Sequence, residues 1–358
     1  MKFDVYQNKR VLITGHTGFK GSWLALWLKR LGADVYGYSL APPTMPSNYA
    51  LSNVKDVLIG ETIGDIRDRD LMREVVESFC PDVIFHLAAQ PLVPASYDQP
   101  YDTFEVNVLG TASVLDAVRE SRRPCAVICI TTDKCYENCE QVWGYRECDA
   151  MGGYDPYSAS KGAAEILVAS YRRSFFSPAE LNKHGVQLAT VRAGNVIGGG
   201  DWGCDRIVTD IVKALAEDVP VAVRNPHAIR PWQHVLEPLS GYLKLGAAML
   251  ENPDAKWSSA WNFGPVSGGE LTVGELAGAF VKAWGSGSWL DQSSTSQPHE
   301  ASILRLNIDK AVSQLCWQPR WTCDEMVDRT AKWYRAVLCE NFNACSACEN
   351  DIRDYGDA

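Results

Sequence analysis

The sequence predicts an α/β protein: a doubly wound parallel sheet followed by a smaller C-terminal substrate-binding lobe. Three observations carry this expectation. Apolar runs of strand length alternate with longer helical patterns as far as Asn195. Several runs, such as Cys125 to Ile130, are apolar at nearly every position. A sheet with such strands must be covered on both faces, as parallel sheets are. Third, a glycine-rich turn joins the first run to the first helical pattern, which is where a Rossmann-type sheet holds a dinucleotide.

The elements follow in order. Arg10-Val11-Leu12-Ile13-Thr14 reads as the first strand. Trp23 to Leu28 is apolar on most sides, hence a buried helix, and Gly32 is a suitable stop for it. Asp34 to Tyr38 reads as strand two, Val57 to Gly64 as strand three, and Leu71 to Phe79 as a helix. Asp82 to Ala88 is strand four, followed by a helix over Thr103 to Glu120. Cys125 to Ile130 is strand five, Tyr157 to Phe175 a helix, and Leu188 to Arg192 strand six. Beyond Asn195 the regularity fades. Gly198 to Gly203 reads as a loop, Pro238 to Leu250 as a helix packing back on the first lobe, and Val273 to Ala283 as another helix. The expected division is a nucleotide-binding domain over 1–195, joined by about 234–262, and a smaller lobe over 196–358. Residues 285–298, rich in Gly, Ser and Gln, read as a mobile loop, and the acidic end from Asn341 as disordered.

Composition narrows the class. The chain has 358 residues, 46% hydrophobic and 22% charged, ample for a sizeable core. A formal net charge of −10 argues against a nucleic-acid or anionic-membrane surface. No apolar run is long enough to span a bilayer, and the start lacks a signal-peptide pattern. The 12 cysteines are scattered, as reduced thiols of a cytoplasmic protein are. Cys339, Cys345 and Cys348 lack a clear fourth ligand, so no metal site is expected.

The cofactor site is read from the turn Gly15-His16-Thr17-Gly18-Phe19-Lys20-Gly21. Gly15, Gly18 and Gly21 permit a tight turn, close approach to a pyrophosphate, and close helix packing. The following helix N-terminus offers free N–H groups and a positive dipole end. An acidic residue after strand two usually holds the ribose. Here the chain reads Tyr38-Ser39-Leu40-Ala41, so Ser39 is the substitute, and the absence of a local cation favours NAD over its 2′-phosphorylated form. Asp65-Ile66 can meet the adenine edge, with a helix cap by Asp65 as the alternative. Leu87-Ala88-Ala89, closing strand four, is small enough for a flat cofactor, and Gln90 follows at the cleft as a candidate substrate contact.

The chemistry is read from two short segments. Thr132-Asp133-Lys134 closes strand five, and Tyr157 and Lys161 sit four apart at the start of a helix. A free Tyr titrates near ~10. Lys161 one turn away and the positive charge of an oxidised nicotinamide both favour the tyrosinate, the base needed to strip a hydroxyl proton as hydride leaves. Asp133 and Lys134 exceed what a simple alcohol dehydrogenase needs, which suggests a second step at a neighbouring carbon. Burial would raise the Asp133 pKa and let it serve as an acid. Lys134 either loses its proton and acts as a base or stays charged and stabilises an enolate. Arg230, before Pro231-Trp232, is a fork-shaped phosphate donor, and Asn195 ends strand six at the cleft mouth. Arg206, His299 and Glu300 are weaker candidates for the substrate.

With the glycine turn, His86-Leu87-Ala88-Ala89, and Tyr157…Lys161 in this order, the chain resembles the extended short-chain dehydrogenase/reductase family over about residues 9 to 320. Thr132-Asp133-Lys134 resembles the sugar-nucleotide 4,6-dehydratases, most of which carry Glu where Lys134 stands. The Lys134 form, with Arg192 to Trp202 and Ile229 to Val235, is similar to the branch acting on CDP-glucose. The resemblance implies a redox-neutral cycle with NAD: Tyr157 takes the O4 proton, Asp133 protonates the departing C6 hydroxyl, Thr132 bonds O4 or the phenol, and water leaves. It also implies a step in dideoxysugar synthesis for lipopolysaccharide O-antigen. A 4-epimerase on the same fold would not need an acid at Asp133, and a non-catalytic dinucleotide sensor would not need Tyr157 and Lys161. Surplus apolar residues on the helices at 103–120 and 157–175, including Val106, Val114, Leu115, Val118, Ile166, Leu167 and Phe175, suggest a homodimer through a four-helix contact, with a tetramer as an extension.

Overall fold

The computed structural model describes residues 3–204, 206–266, 271–293 and 304–357. Seven strands, β1 (Arg10–Thr14), β2 (Asp34–Ser39), β3 (Gly60–Ile63), β4 (Val83–His86), β5 (Cys125–Ile130), β6 (Val186–Ala193) and β7 (Ala260–Phe263), form one sheet in the order β7-β6-β5-β4-β1-β2-β3. Every pairing in it is parallel. The order reverses between β1 and β4, so a crevice opens above that point, at the carboxyl ends of the strands.

The main helices are α1 (Phe19–Arg30), α2 (Arg69–Phe79), α3 (Gly110–Ser121), α4 (Pro156–Ser174), α5 (Ile207–Ala216), α6 (Leu236–Glu251), α7 (Val273–Trp284), α8 (Cys323–Cys339) and α9 (Ala344–Asp357). Alternate strand residues feed two cores, because successive side chains leave a strand on opposite faces. Val11, Ile13, Phe85 and Ile128 pack with α1 and α6. Leu12, Ile84 and Val127 pack with α2, α3 and α4. This is why the strands read as continuous apolar runs. The first core extends without a break into the C-terminal helices through Trp317, Trp333 and Tyr334.

Four departures from the sequence reading have physical causes. Strand three is shorter than expected, since Val54–Val57 forms a 3-10 turn before it. The pattern at 103–120 is not one helix. A helix over Pro100–Phe104 passes into a π-turn at Glu105–Leu109 before α3 begins. The π-turn lets Asn107 reach sideways to the Gln90 backbone and to Ser160 of α4. Within the expected mobile loop, Trp289–Asp291 pairs in parallel with Val221–Val223. The acidic end is ordered: α9 buries Ala344, Cys348, Ile352 and Tyr355. Their spacing of four, four and three is a helical stripe inside a charged segment. Tyr355 meets Trp27 of α1 edge-on at 5.6 Å.

Candidate active site

The glycine turn lies between β1 and α1, as expected. Gly15 has φ of +78°, and a Cβ there would lie 2.8 Å from the Ala88 nitrogen. A Cβ on Gly21 would lie 2.1 Å from the Gly15 carbonyl oxygen. Both positions therefore exclude any side chain. Gly18 caps α1 with no side-chain bond, which leaves the first N–H groups of the helix open to an anion. Thr14 ties the turn to β4: its hydroxyl bonds His86 Nδ1 at 2.7 Å and accepts from the Ala88 N–H at 3.2 Å. Burial pushes His86 down to about 3, so the ring is neutral, and its Nε2 bonds Thr111 at 3.0 Å.

The adenosine side differs from the sequence reading. The Ser39 and Thr17 hydroxyls bond each other at 2.9 Å. His16 is buried against Gly37 and bonds Glu61 of β3 at 2.9 Å. Burial holds its pKa down, against the pull of Glu61. Glu61 also accepts from Tyr49 at 2.7 Å and pairs with Lys55 at 3.3 Å. The local carboxylate thus comes from β3 and is already engaged. Asp65 neither caps α2, a role taken by Asp68, nor stands free. Arg67 grips both its oxygens, at 3.0 and 2.6 Å, and reaches Asp102 at 2.6 Å. Ile66 is buried against Gly110.

Catalytic candidates converge at the end of β5. Thr132 caps a 3-10 turn over Asp133–Cys135. Pro156 at N1 and Asp155, whose side chain accepts from the Ser158 N–H at 2.9 Å, start α4. Tyr157 and Lys161 follow one turn apart on its buried face. Lys161 donates to the Ile130 carbonyl at 3.3 Å, and burial lowers it to about 8. Tyr157 is the candidate oxidation base. Burial raises it to about 12, although the Thr132 hydroxyl pulls the other way. Burial thus favours the protonated phenol, and added positive charge would favour its ionisation. Burial raises Asp133 as well. Its Oδ1 accepts from the Thr132 hydroxyl at 3.0 Å, while Oδ2 is buried without a partner beside Gly194. Lys134 is half-buried beside it.

Behind these residues lies a buried ion pair. Glu165, one turn beyond Lys161, accepts from Thr131 at 2.6 Å, Thr190 at 2.8 Å, and Arg192 at 2.9 and 2.8 Å. Arg192 also donates to the Tyr136 hydroxyl at 2.6 Å.

Several contributors escaped sequence reasoning. Lys20, within the glycine turn, faces Asp133, Lys161, Asp201 and Arg206 closely enough to feel each charge. Burial and the neighbouring Arg206 lower it to about 8. The signal was its place between Gly18 and Gly21, where it passed as a spacer. Asn107 and Ser160 give no such signal, since only the fold joins them. Among the substrate candidates, Gln90 is spent on its own loop, bonding Leu92 and Thr103. Arg206 pairs with Asp201 at 3.4 Å, at the cleft. Asn195 is half-buried beside Gly194, and its carbonyl accepts from the Gln233 N–H at 3.0 Å. Arg230 pairs across to Leu271 on a two-residue strand. His299 and Glu300 lie outside the described residues. Among the described residues, no cluster suited to a metal is present. Cys348 instead accepts from the Trp333 ring N–H at 3.4 Å.

Comparison with known proteins gives a consistent picture. A family model described as GDP-mannose 4,6 dehydratase matches residues 12–256. The chain is 50% identical to the CDP-glucose 4,6-dehydratase of Salmonella typhimurium over 354 residues, 98% of this chain and 97% of that one. It is 29% identical to a dTDP-glucose 4,6-dehydratase of Streptomyces antibioticus, covering 91% of this chain and 92% of the relative. In fold it resembles a dTDP-glucose 4,6-dehydratase of Streptomyces venezuelae solved with NAD bound, with a TM-score of 0.76, 23% identity, and coverage of 91% and 97%.

Proposed function

Since the chain belongs to the GDP-mannose 4,6-dehydratase family, we propose that it is a hydro-lyase that uses NAD to convert CDP-D-glucose to CDP-4-keto-6-deoxy-D-glucose. The observation that carries this is an acid beside an oxidation base: Asp133, raised by burial and with Oδ2 unpartnered, stands at the strand end that faces Tyr157. The CDP-glucose assignment follows the relative that is half identical over nearly its whole length.

The dinucleotide fits the glycine turn and the open N-terminus of α1. Bound NAD supplies the hydride acceptor for C4 and the donor for C6. Tyr157 takes the O4 proton, held in place by Thr132 and α4. The C4 ketone acidifies C5, where Lys134 acts as a neutral base or as a charged partner of the enolate. Asp133 donates its proton to the C6 hydroxyl as water leaves. Arg206 and Arg230 are the phosphate donors and Asn195 a further polar contact. In this reading residues 1–195 with 234–262 hold the cofactor, and the remaining lobe holds the nucleotide. The protein works in the cytoplasm as a homodimer. Its interface is built from Tyr101, Phe104, Leu109, Ile166 and Phe175, all exposed, while Val114, Leu115 and Val118 belong to the core.

The test is incubation with CDP-, dTDP- and GDP-glucose, read by the alkali-induced absorbance of a 4-keto sugar. Asp133→Asn keeps the shape but cannot give the proton. It should reduce bound cofactor on mixing and then stall without dehydrated product. Normal product from Asp133→Asn would move the assignment to a 4-epimerase. Lys134→Met should stall at the same stage if Lys134 acts at C5, and earlier if it only positions the sugar.

A further inference from the structure

We propose that Tyr136 is a positioning residue for the elimination step: its hydroxyl, shared between Arg192 and Asn262, fixes the outgoing end of the turn that carries Asp133 and Lys134. The inference rests on the dehydratase reading above. That turn does not hold itself firmly. Its backbone bonds, from the Cys135 N–H to the Thr132 carbonyl and from the Tyr136 N–H to the Asp133 carbonyl, are both 3.4 Å long. The Lys134 N–H meets the Thr132 hydroxyl at 3.4 Å as well. All three lie beyond the usual range of about 2.7–3.2 Å for an N–H···O bond, so each is weak. The place of Asp133 and Lys134 is therefore set by what grips the chain on either side of them.

Both grips come from one buried ion pair. On the incoming side, the Thr131 hydroxyl donates to Glu165 at 2.6 Å. On the outgoing side, the Tyr136 hydroxyl accepts from Arg192 at 2.6 Å and donates to Asn262 Oδ1 at 2.8 Å. Asn262 and Arg192 stand opposite each other on β7 and β6, so the phenol bridges two strands of the sheet. Asn262 Nδ2 donates to the carbonyls of Tyr145 and Asn307, at 2.8 and 3.1 Å, which leaves its oxygen to face the phenol. Tyr136, Arg192 and Asn262 are 1%, 3% and 0% exposed, so water cannot replace these bonds. Backbone bonds with Ala150 and Gly152 join the exit of the turn to a loop; the hydroxyl joins it to the sheet. The oxidation pair is anchored separately. Tyr157 and Lys161 ride on α4, whose start is capped by Asp155, and Lys161 bonds the Ile130 carbonyl. Loss of the Tyr136 hydroxyl should therefore loosen Asp133 and Lys134 and spare Tyr157 and Lys161.

Tyr136→Phe removes the hydroxyl and keeps the ring, which stacks on Tyr145 at 5.1 Å and lies under Arg192 at 4.8 Å. Arg192 keeps both bonds to Glu165. On rapid mixing of the NAD-loaded variant with CDP-glucose, reduced nicotinamide should appear at the wild-type rate. Its disappearance, and the formation of dehydrated product, should slow by roughly 10- to 10²-fold, the scale of a displacement of about 1 Å near reacting groups. Deuterium at C5 should then slow steady turnover more than in the wild type, and deuterium at C4 less. A merely structural loss would slow both steps together and leave both isotope effects alone. Thr190→Val is the control, because it takes a hydroxyl from the same ion pair, 2.8 Å from Glu165, without touching the turn. It should melt lower than the wild type yet keep the wild-type balance of the two steps. The role is overturned if Tyr136→Phe eliminates as fast as the wild type, if its oxidation slows equally, or if Thr190→Val shows the same imbalance. If Tyr136→Phe does not fold, Asn262→Ala, which leaves the phenol held by Arg192 alone, is read for the same balance. A wild-type balance there overturns the role, and slowed elimination with normal oxidation supports it. Should the wild type make no 4-keto-6-deoxy product from CDP-glucose, the functional reading falls and this role with it. Product formed with an unaltered balance in Tyr136→Phe removes the role alone.

Discussion

Glu165→Gln tests the buried ion pair beneath the end of β5 and the start of α4, where the candidate catalytic residues lie. Glu165 and Arg192 side chains are each 4% exposed, and the carboxylate accepts four hydrogen bonds. Burial pushes Glu165 up, but Arg192 and the two threonine hydroxyls outweigh it and hold the pKa below its ordinary value. An amide removes the charge and turns an N–H₂ toward donors. Arg192 is then left as an uncompensated buried cation, at a cost of about 3–5 kcal/mol. Unfolding entropy of roughly 2.1 cal/mol/K per residue, over a chain of 358 residues, converts this to a fall in Tm of about 4–7 °C. Calorimetry at a fixed scan rate reads it. The double change Glu165→Leu with Arg192→Met removes both charges and should recover most of the loss, since Tyr136 keeps Asn262 as an acceptor at 2.8 Å. The sign with pH is fixed. The folded pKa lies below the unfolded one, so the contribution is complete above about pH 4.3 and fades as pH falls through the depressed value. The gap between wild type and Glu165→Gln should therefore narrow in acid. Melting of Glu165→Gln with the wild type, or a double variant no better than the sum of the singles, would refute the reasoning.

Tyr157→Phe should abolish turnover while dinucleotide binding, followed by fluorescence, stays near normal; residual activity beyond a trace removes Tyr157 as the base. With no free carboxylate at the end of β2, the ribose lacks a charge-assisted hydrogen bond worth about 1.5–3 kcal/mol, so purified protein should be partly empty and added NAD should raise activity; stoichiometric NAD surviving dialysis would show other contacts compensating. Glu165→Gln should also bring the alkaline limb of turnover to lower pH, because Glu165 helps keep Lys161 charged against burial; an unchanged limb would mean that Lys161 does not set it. Leu109→Glu with Ile166→Glu should give a monomer by light scattering, since both side chains are exposed, at 57% and 62%; an unchanged mass would place any dimer contact elsewhere.

The sheet was legible because buried parallel strands leave a contiguous apolar mark, and β1 and β5 fall where that mark does. β7 was not, since Ala260-Trp261-Asn262-Phe263 is only four residues long and contains a polar residue. Tyr157, Lys161, Thr132 and Asp133 were readable from spacing at a strand end and a helix start. What spacing does not carry is engagement. Gln90, Ser39 and Asp65 look free in the sequence, yet each is held by a neighbour that only the fold supplies. Burial raises Tyr157 and lowers Lys161, a desolvation that residue spacing does not show.

The docking of α9 onto α1 bears on how the chain is made. Asn48 and Cys348 touch although they stand 300 positions apart, and Trp27 waits for Tyr355 across a still longer span. During synthesis the half of the chain that carries α1 emerges first, with the outer side of α1 uncovered. Covering that side depends on residues about 300 positions further along the chain. An emerging or truncated first half therefore presents a sticky apolar surface, and this protein should lean on chaperones until α9 arrives.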